Sequence, residues 1–175
     1  GLFLDRAQGR LLVANQDSHS VTEIDAISLQ AGRELPLGRN PRAVAVEPER
    51  GTIWVASRGQ DEVVAYEQDK LSSIRVGGPQ EALALDAARG ILYVADARNG
   101  IVTALDTATR TVKASLRVGG RPVALAVSPV DRRLLVLDAD TQRLHLLDLV
   151  EVEKPVERPA QSGQDWVKPS TLTYL

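Results

Sequence analysis

Four near-copies of one pattern run along this chain: GRLLVAN…VTEID, GTIWVAS…VVAYE, GILYVAD…IVTALD and RRLLVLD…LHLLD. Val13, Val55, Val94 and Val136 hold the same place in each, at intervals of 42, 39 and 42 residues. A repeat of this length is one supersecondary unit that cannot bury its apolar face alone and stacks on its neighbours to do so. The copies can therefore be read against one another: positions that agree report the frame, and positions that differ report what each copy does with it.

The third copy is the clearest. Ala82–Leu85 is a short alternating run, and Ile91–Ala95, Ile101–Leu105 and Thr111–Val118 follow, each bounded by turn residues. Runs of 4–8 residues rich in β-branched types and separated by Gly and Asp predict four strands of an antiparallel meander. The first strand reads AVAV at Ala43–Val46, ALAL at Ala82–Leu85 and ALAV at Ala124–Val127, small residues alternating with larger ones as a crowded innermost strand requires. The fourth carries Lys113, Ser115 and Arg117 on one face, the charged edge that discourages pairing with other chains. Asp25, Asp106 and Asp148 close the third strand, where a carboxylate accepts backbone N–H bonds as a turn begins. Gly9, Gly51 and Gly90, with Arg132 in copy four, precede the second strand and are expected at positive φ. An apolar inner strand and a charged outer one predict an all-β fold, a β-propeller of four-stranded antiparallel blades with about four blades present.

The units run over about 2–38, 43–77, 82–119 and 124–158, so that 1–150 forms the blades. A polar tail, 159–175, then leads into Pro169–Tyr174, which matches Pro122–Val127 and predicts the inner strand of a next blade. That spare strand, and a sequence that holds no Met and opens directly in an apolar strand, favour an arc of a larger ring over a closed four-bladed one. Neighbouring blades or domains are then missing from the chain.

Composition narrows the chemistry. The net charge of −2 supplies no general attraction to nucleic acid or to an anionic membrane, and no apolar run is long enough to span a bilayer. The absence of Cys excludes disulfides, thiolate metal sites, covalent haem attachment and cysteine nucleophiles within the sequence. No phosphate-binding glycine loop before a helix and no Gly-x-Ser-x-Gly are present. No residue pattern in the sequence points to a catalytic residue, a metal ligand or a bound cofactor.

LLVANQDSHSVTEID, LYVADARNGIVTALDTATRTV and VGGRPVALAVSPVDRR resemble the YVTN-type β-propeller repeat, over nearly the whole span from Leu2 to Asp148. The resemblance implies a bacterial or archaeal protein of the periplasm or cell exterior, in a family whose members commonly have seven or more blades. It also implies two kinds of role. One is a non-catalytic scaffold that binds a protein, a glycan or a small anionic ligand through its top loops. The other is the propeller segment of a periplasmic haem- or quinone-dependent redox enzyme, with the cofactor supplied elsewhere. A channel-metal hydrolase is a third and weaker reading.

In such a fold the loops between second and third strands, and those from the outer strand to the next inner one, share one face. Arg42, Arg58, Arg98, Arg121 and Arg143 all fall there and are the ligand-binding candidates, because guanidinium groups recognise carboxylate and phosphate bidentately. Asp17, Asp61, Glu62, Glu81, Asp96 and Asp140 lie in the same loops and offer the competing reading, internal neutralisation. His19 is the candidate for a cofactor contact, and His145 reads as a strand residue.

Overall fold

The computed structural model describes residues 1–128, 130–149 and 172–174, the last three by backbone alone. The first blade comprises β1 (Leu2–Asp5), β2 (Arg10–Asn15), β3 (Ser20–Asp25) and β4 (Ala31–Leu35). The second comprises β5 (Pro41–Val46), β6 (Ile53–Ser57), β7 (Glu62–Glu67) and β8 (Lys70–Arg75). The third comprises β9 (Gln80–Asp86), β10 (Ile91–Asp96), β11 (Ile101–Asp106) and β12 (Thr111–Arg117). The fourth comprises β13 (Pro122–Ser128), β14 (Arg133–Asp138), β15 (Arg143–Asp148) and β16 (Leu172–Tyr174). Each set is an antiparallel sheet in sequence order. First strands of successive blades approach one another, β1 with β5, β5 with β9 and β9 with β13, so they form the inner wall. The fourth strands β4, β8 and β12 are largely exposed, as their charged faces predict.

The four turns before the second strands adopt the left-handed conformation at Gly9, Gly51, Gly90 and Arg132, with φ between 53° and 68°. The Asp turns also form as read: Asp25 Oδ1 accepts from Ile27 N and Ser28 N, and Asp106 Oδ1 from Ala108 N and Thr109 N. The short 39-residue interval has a local cause. Blade two joins β7 to β8 by Gln68-Asp69, both at positive φ (49° and 59°), the two-residue turn that matches strand twist. Blade three uses the four residues 107–110 instead. Blade two also lacks the one-residue bulge that shifts register between its third and fourth strands in blades one and three. Two residues from the turn and one from the bulge make up the difference.

One expectation is corrected. Leu172–Tyr174 does not open a new blade: it pairs antiparallel with β15, Leu144 opposite Tyr174 and Leu146 opposite Leu172, as the outer strand of blade four. The row of N–H and C=O groups that β15 would otherwise leave unpaired supplies the physical reason. The tail between, 150–171, lies outside the described residues.

Because side chains alternate across a strand, every blade has two apolar faces. Trp54, Val63 and Ala65 on one face of blade two pack against Leu92, Val94 and Leu105 of blade three. Ile53, Val55 and Val64 on its other face pack against Leu12, Val21 and Leu35 of blade one. Tyr93, Val102 and Ala104 of blade three repeat the contact on Leu134, Val136 and Leu147 of blade four. Trp54 and Tyr93, at the same repeat position, are fully buried between blades, as expected for core aromatics. Leu135 holds that position in blade four and, with no further blade packed on it among the described residues, is only half-buried. Trp54→Ala should therefore cost about 3–5 kcal/mol, as for large core aromatics, while Leu135→Ala should cost roughly 1 kcal/mol. Urea unfolding of the two variants checks this; equal losses would contradict packing by blade faces.

Candidate functional site

The β2–β3, β6–β7, β10–β11 and β14–β15 loops share the upper end of the sheets with the crossovers from each outer strand to the next inner one. Backbone bonds tie these loops together: Arg58 N donates to Asn40 O, Val118 N to Gly100 O and Ala139 N to Arg121 O. Side chains complete the join. Gln80, fully buried, accepts from Ser57 N at 3.1 Å and donates to Gln60 O and Gly78 O at 3.0 and 2.8 Å, locking the start of β9 to the loop of blade two. Its position in the repeat is that of Pro41 and Pro122, which cannot make such a clamp.

Two buried aspartates anchor the loops of blades three and four. Asp96 Oδ1 accepts from Arg98 N and Asn99 N at 3.0 Å each. Asp138 Oδ1 accepts from Arg121 N and Asp140 N at 2.9 Å, and its Oδ2 takes the Thr141 hydroxyl at 2.7 Å. Burial pushes the Asp138 carboxyl up, and these N–H and O–H donors more than offset it, so it stays well below the usual carboxylate range. The second glycine of each VGG step follows from this. A Cβ on Gly78 would overlap the Asp96 carboxylate, and one on Gly120 the Asp138 carboxylate. The corresponding residue between blades one and two is Arg39, and the repeat position of Asp96 and Asp138 holds Ser57 in blade two.

The predicted arginines fall into three groups. Arg42 Nε donates to Glu81 Oε1 at 3.1 Å, Arg58 Nε to Oε2 at 2.5 Å and Arg58 Nη2 to Oε1 at 2.9 Å, so one nearly buried carboxylate bridges two guanidiniums from blade two. Burial pushes Glu81 up, but the bonds from Arg58 and Arg42 outweigh it and hold the carboxyl below its ordinary range. Arg121 Nε pairs with Asp140 Oδ1 at 3.0 Å at an exposed site. Arg98 is exposed, and its guanidinium meets no acidic partner among the described residues. Arg58, Arg98 and Arg121 line one shallow open cavity of about 270 Å³, together with Pro79, Glu81 and Ala97. Arg42 reaches it only through Glu81. Arg143, exposed at the start of β15, does not line it.

Glu81, by sequence one of the six neutralising loop acids, is the residue that joins two of the arginines. The signal for its role is that Arg42, Glu81 and Val123 occupy one repeat position, so adjacent blades carry opposite charges at the inner wall. His19 sits in the left-handed turn position (φ 57°), equivalent to Gly100 and Gln142, and its Nδ1 accepts from Asn40 N at 3.1 Å. His145 packs in β15, with Nε2 3.6 Å from Asp138 Oδ2. Among the described residues no group of three His, Asp or Glu is placed to hold a metal, and no helix is long and apolar enough to cross a membrane.

Four stacked antiparallel meanders with a shared inner wall define a β-propeller, of which this chain forms an arc of about four blades. Solved structures agree. Hydrazine synthase of Kuenenia stuttgartiensis is similar at 20% identity and TM-score 0.79, over 89% of this chain and 47% of that one. A virginiamycin B lyase of Staphylococcus aureus is similar at 13% identity and TM-score 0.73, over 90% and 55%. Nidogen, solved in complex with laminin, is similar at 20% identity and TM-score 0.76, over 87% and 60%. The chain thus spans about half the length of these proteins, and the likeness is one of fold. No family model matches the chain, and no curated protein matches its sequence.

The Asp138 anchor has a defined pH dependence. A carboxyl held below its unfolded value near 3.8 stabilises the fold fully above that value, and the contribution is lost as pH falls toward the folded value. Asp138→Asn should be about 1–3 kcal/mol less stable near neutrality. That gap should shrink steadily once the pH is lowered below about 4. Urea midpoints across this range check it; a gap independent of pH would show that the charge is not what holds the loops.

Proposed function

We propose that this propeller is a non-catalytic binding scaffold whose top face captures an anionic group of a protein, a glycan or a small ligand. One observation carries the reading: Arg98, whose guanidinium meets no acidic partner among the described residues, lines an open cavity together with Arg58 and Arg121. Glu81 and Asp140 hold those two from the side, which fixes their forks at low entropic cost while leaving Arg98 to supply the charge. Arg42 belongs to the supporting frame, and Arg143 serves as a peripheral positive charge. The cavity is shallow and open, a shape suited to a protruding carboxylate or sulfate rather than to an enclosed substrate.

The nidogen structure, solved with laminin, supports a protein-binding use of such a face. The redox alternative has less to rest on, since the Nδ1 of His19, its candidate cofactor contact, is already engaged by a backbone N–H. A periplasmic or extracellular location accords with this reading, as does the absence of Cys.

Titration calorimetry with citrate, inorganic phosphate and a heparin-type sulfated oligosaccharide tests the proposal. At least one probe should bind, and Arg98→Glu combined with Arg121→Glu should weaken it by roughly tenfold or more, equivalent to about 1.4 kcal/mol. Arg143→Glu should leave it nearly unchanged. Absence of binding by all three probes, or unaltered affinity in the double variant, would remove the arginine cavity from the account.

A further inference from the structure

We infer that β8, the outer strand of blade two, is a docking edge for an extended acidic segment of a partner protein. The segment adds to that blade as a further strand, held by main-chain hydrogen bonds.

Outer strands present a row of unpaired backbone groups, and proteins blunt them with bulges and with charges in mid-strand. Blades one and three do both. In blade three Leu105 pairs with Val112 and Ala104 with Ala114, which leaves Lys113 as a bulged cation within β12. In blade one Ile24 pairs with Ala31 and Thr22 with Glu34, so Gly32 and Arg33 together stand opposite Glu23. β8 has neither device. Its residues pair one for one with β7, from Glu62 opposite Arg75 to Glu67 opposite Lys70, and its central Leu71-Ser72-Ser73-Ile74 is uncharged.

The ladder fixes which groups face outward. Val76 N donates to Asp61 O at 3.0 Å beyond the Glu62–Arg75 pair, and bonded and non-bonded pairs alternate from there. Lys70, Ser72 and Ile74 therefore direct N–H and C=O to β7, while Leu71, Ser73 and Arg75 direct theirs away from it. All three of these outward residues are exposed.

Side chains define the partner. Leu71, 58% exposed, offers an apolar contact on the face that Arg75 shares. The strand carries Lys70 and Arg75 and no acid. Glu67, opposite Lys70, is taken by Arg110, and Lys70 meets no acidic partner among the described residues. Arg75 holds Asp61 only at 3.5 Å, with both side chains exposed. A carboxylate opposite Arg75 and an apolar residue opposite Leu71 complement this edge. A second copy of β8 would instead bring two further cations to the seam, which disfavours self-pairing.

Fluorescence anisotropy with a short labelled peptide of alternating valine and threonine, ended by glutamates, reads the binding. The peptide should bind the full chain, and a lysine-ended counterpart should bind roughly tenfold more weakly or worse. In the peptide-bound chain, hydrogen exchange should slow at the amides of Leu71, Ser73 and Arg75 and stay unaltered at Lys70, Ser72 and Ile74. Ser73→Pro removes one outward N–H and no ladder bond, a change that edge strands tolerate, so it should fold and lose the peptide. Ser73→Ala should bind like the parent. The exchange pattern is read on the parent chain, so it decides the matter whether or not the proline variant folds. No binding of the glutamate-ended peptide, equal binding of both peptides, or slowing confined to the top-face loops would overturn the inference. Protection of the same three amides by raised protein concentration alone would make a second copy the occupant and overturn it too.

Discussion

Burial of one blade against the next is the interaction on which everything else in this structure depends. A four-stranded meander of some 35 residues exposes two apolar faces and has no core of its own. Trp54 in blade two and Tyr93 in blade three become interior only because Leu92 and Leu134 arrive from the following blade. Large side chains on the second strand are matched by alanines on the inner one, Ala45 beside Trp54 and Ala84 beside Tyr93, which lets the inner strands converge. Stability in such an array is a sum over contacts between neighbours, and the end blades hold the weakest share.

The upper loops inherit their positions from that stacking. Gln80, Asp96 and Asp138 spend their polar atoms on backbone donors and acceptors of adjacent turns, so the loops are held by buried, satisfied hydrogen bonds. Above them the Arg42–Glu81–Arg58 bridge crosses from blade two to blade three at the inner wall. Among the described residues, Arg98 over the cavity and Arg143 beyond it meet no acidic partner at the rim of this platform. The proposed recognition of anionic groups follows from that division between guanidiniums with and without such a partner.

Most of the fold was legible because repetition supplies its own controls. Four copies placed strands, turns and the inner-to-outer order, and even the exception, Arg132 at a glycine position, keeps the left-handed turn. The pairing of Leu172–Tyr174 was not legible, since a short β-prone segment fits an inner or an outer strand equally well by pattern. At the candidate site, the arginines were visible as residue types on one face, but their partners were not. Glu81 looked like one loop acid among six, and only three-dimensional proximity shows that it takes both Arg42 and Arg58, while Arg98 meets no acidic partner among the described residues. A charge alternation at a single repeat position was the readable clue. Gln80 gave a similar one by replacing a proline.

Native-state hydrogen exchange of this chain tests the dependence of each blade on its neighbours most directly. Middle strands have comparable ladders in all four blades, so hydrogen bonding alone predicts similar protection. If packing between blades governs stability, amides of β6 and β10, flanked on both sides, should exchange through the largest opening free energies. Those of β2 and β14 should open at distinctly lower cost. Equal protection in all four strands would contradict the account.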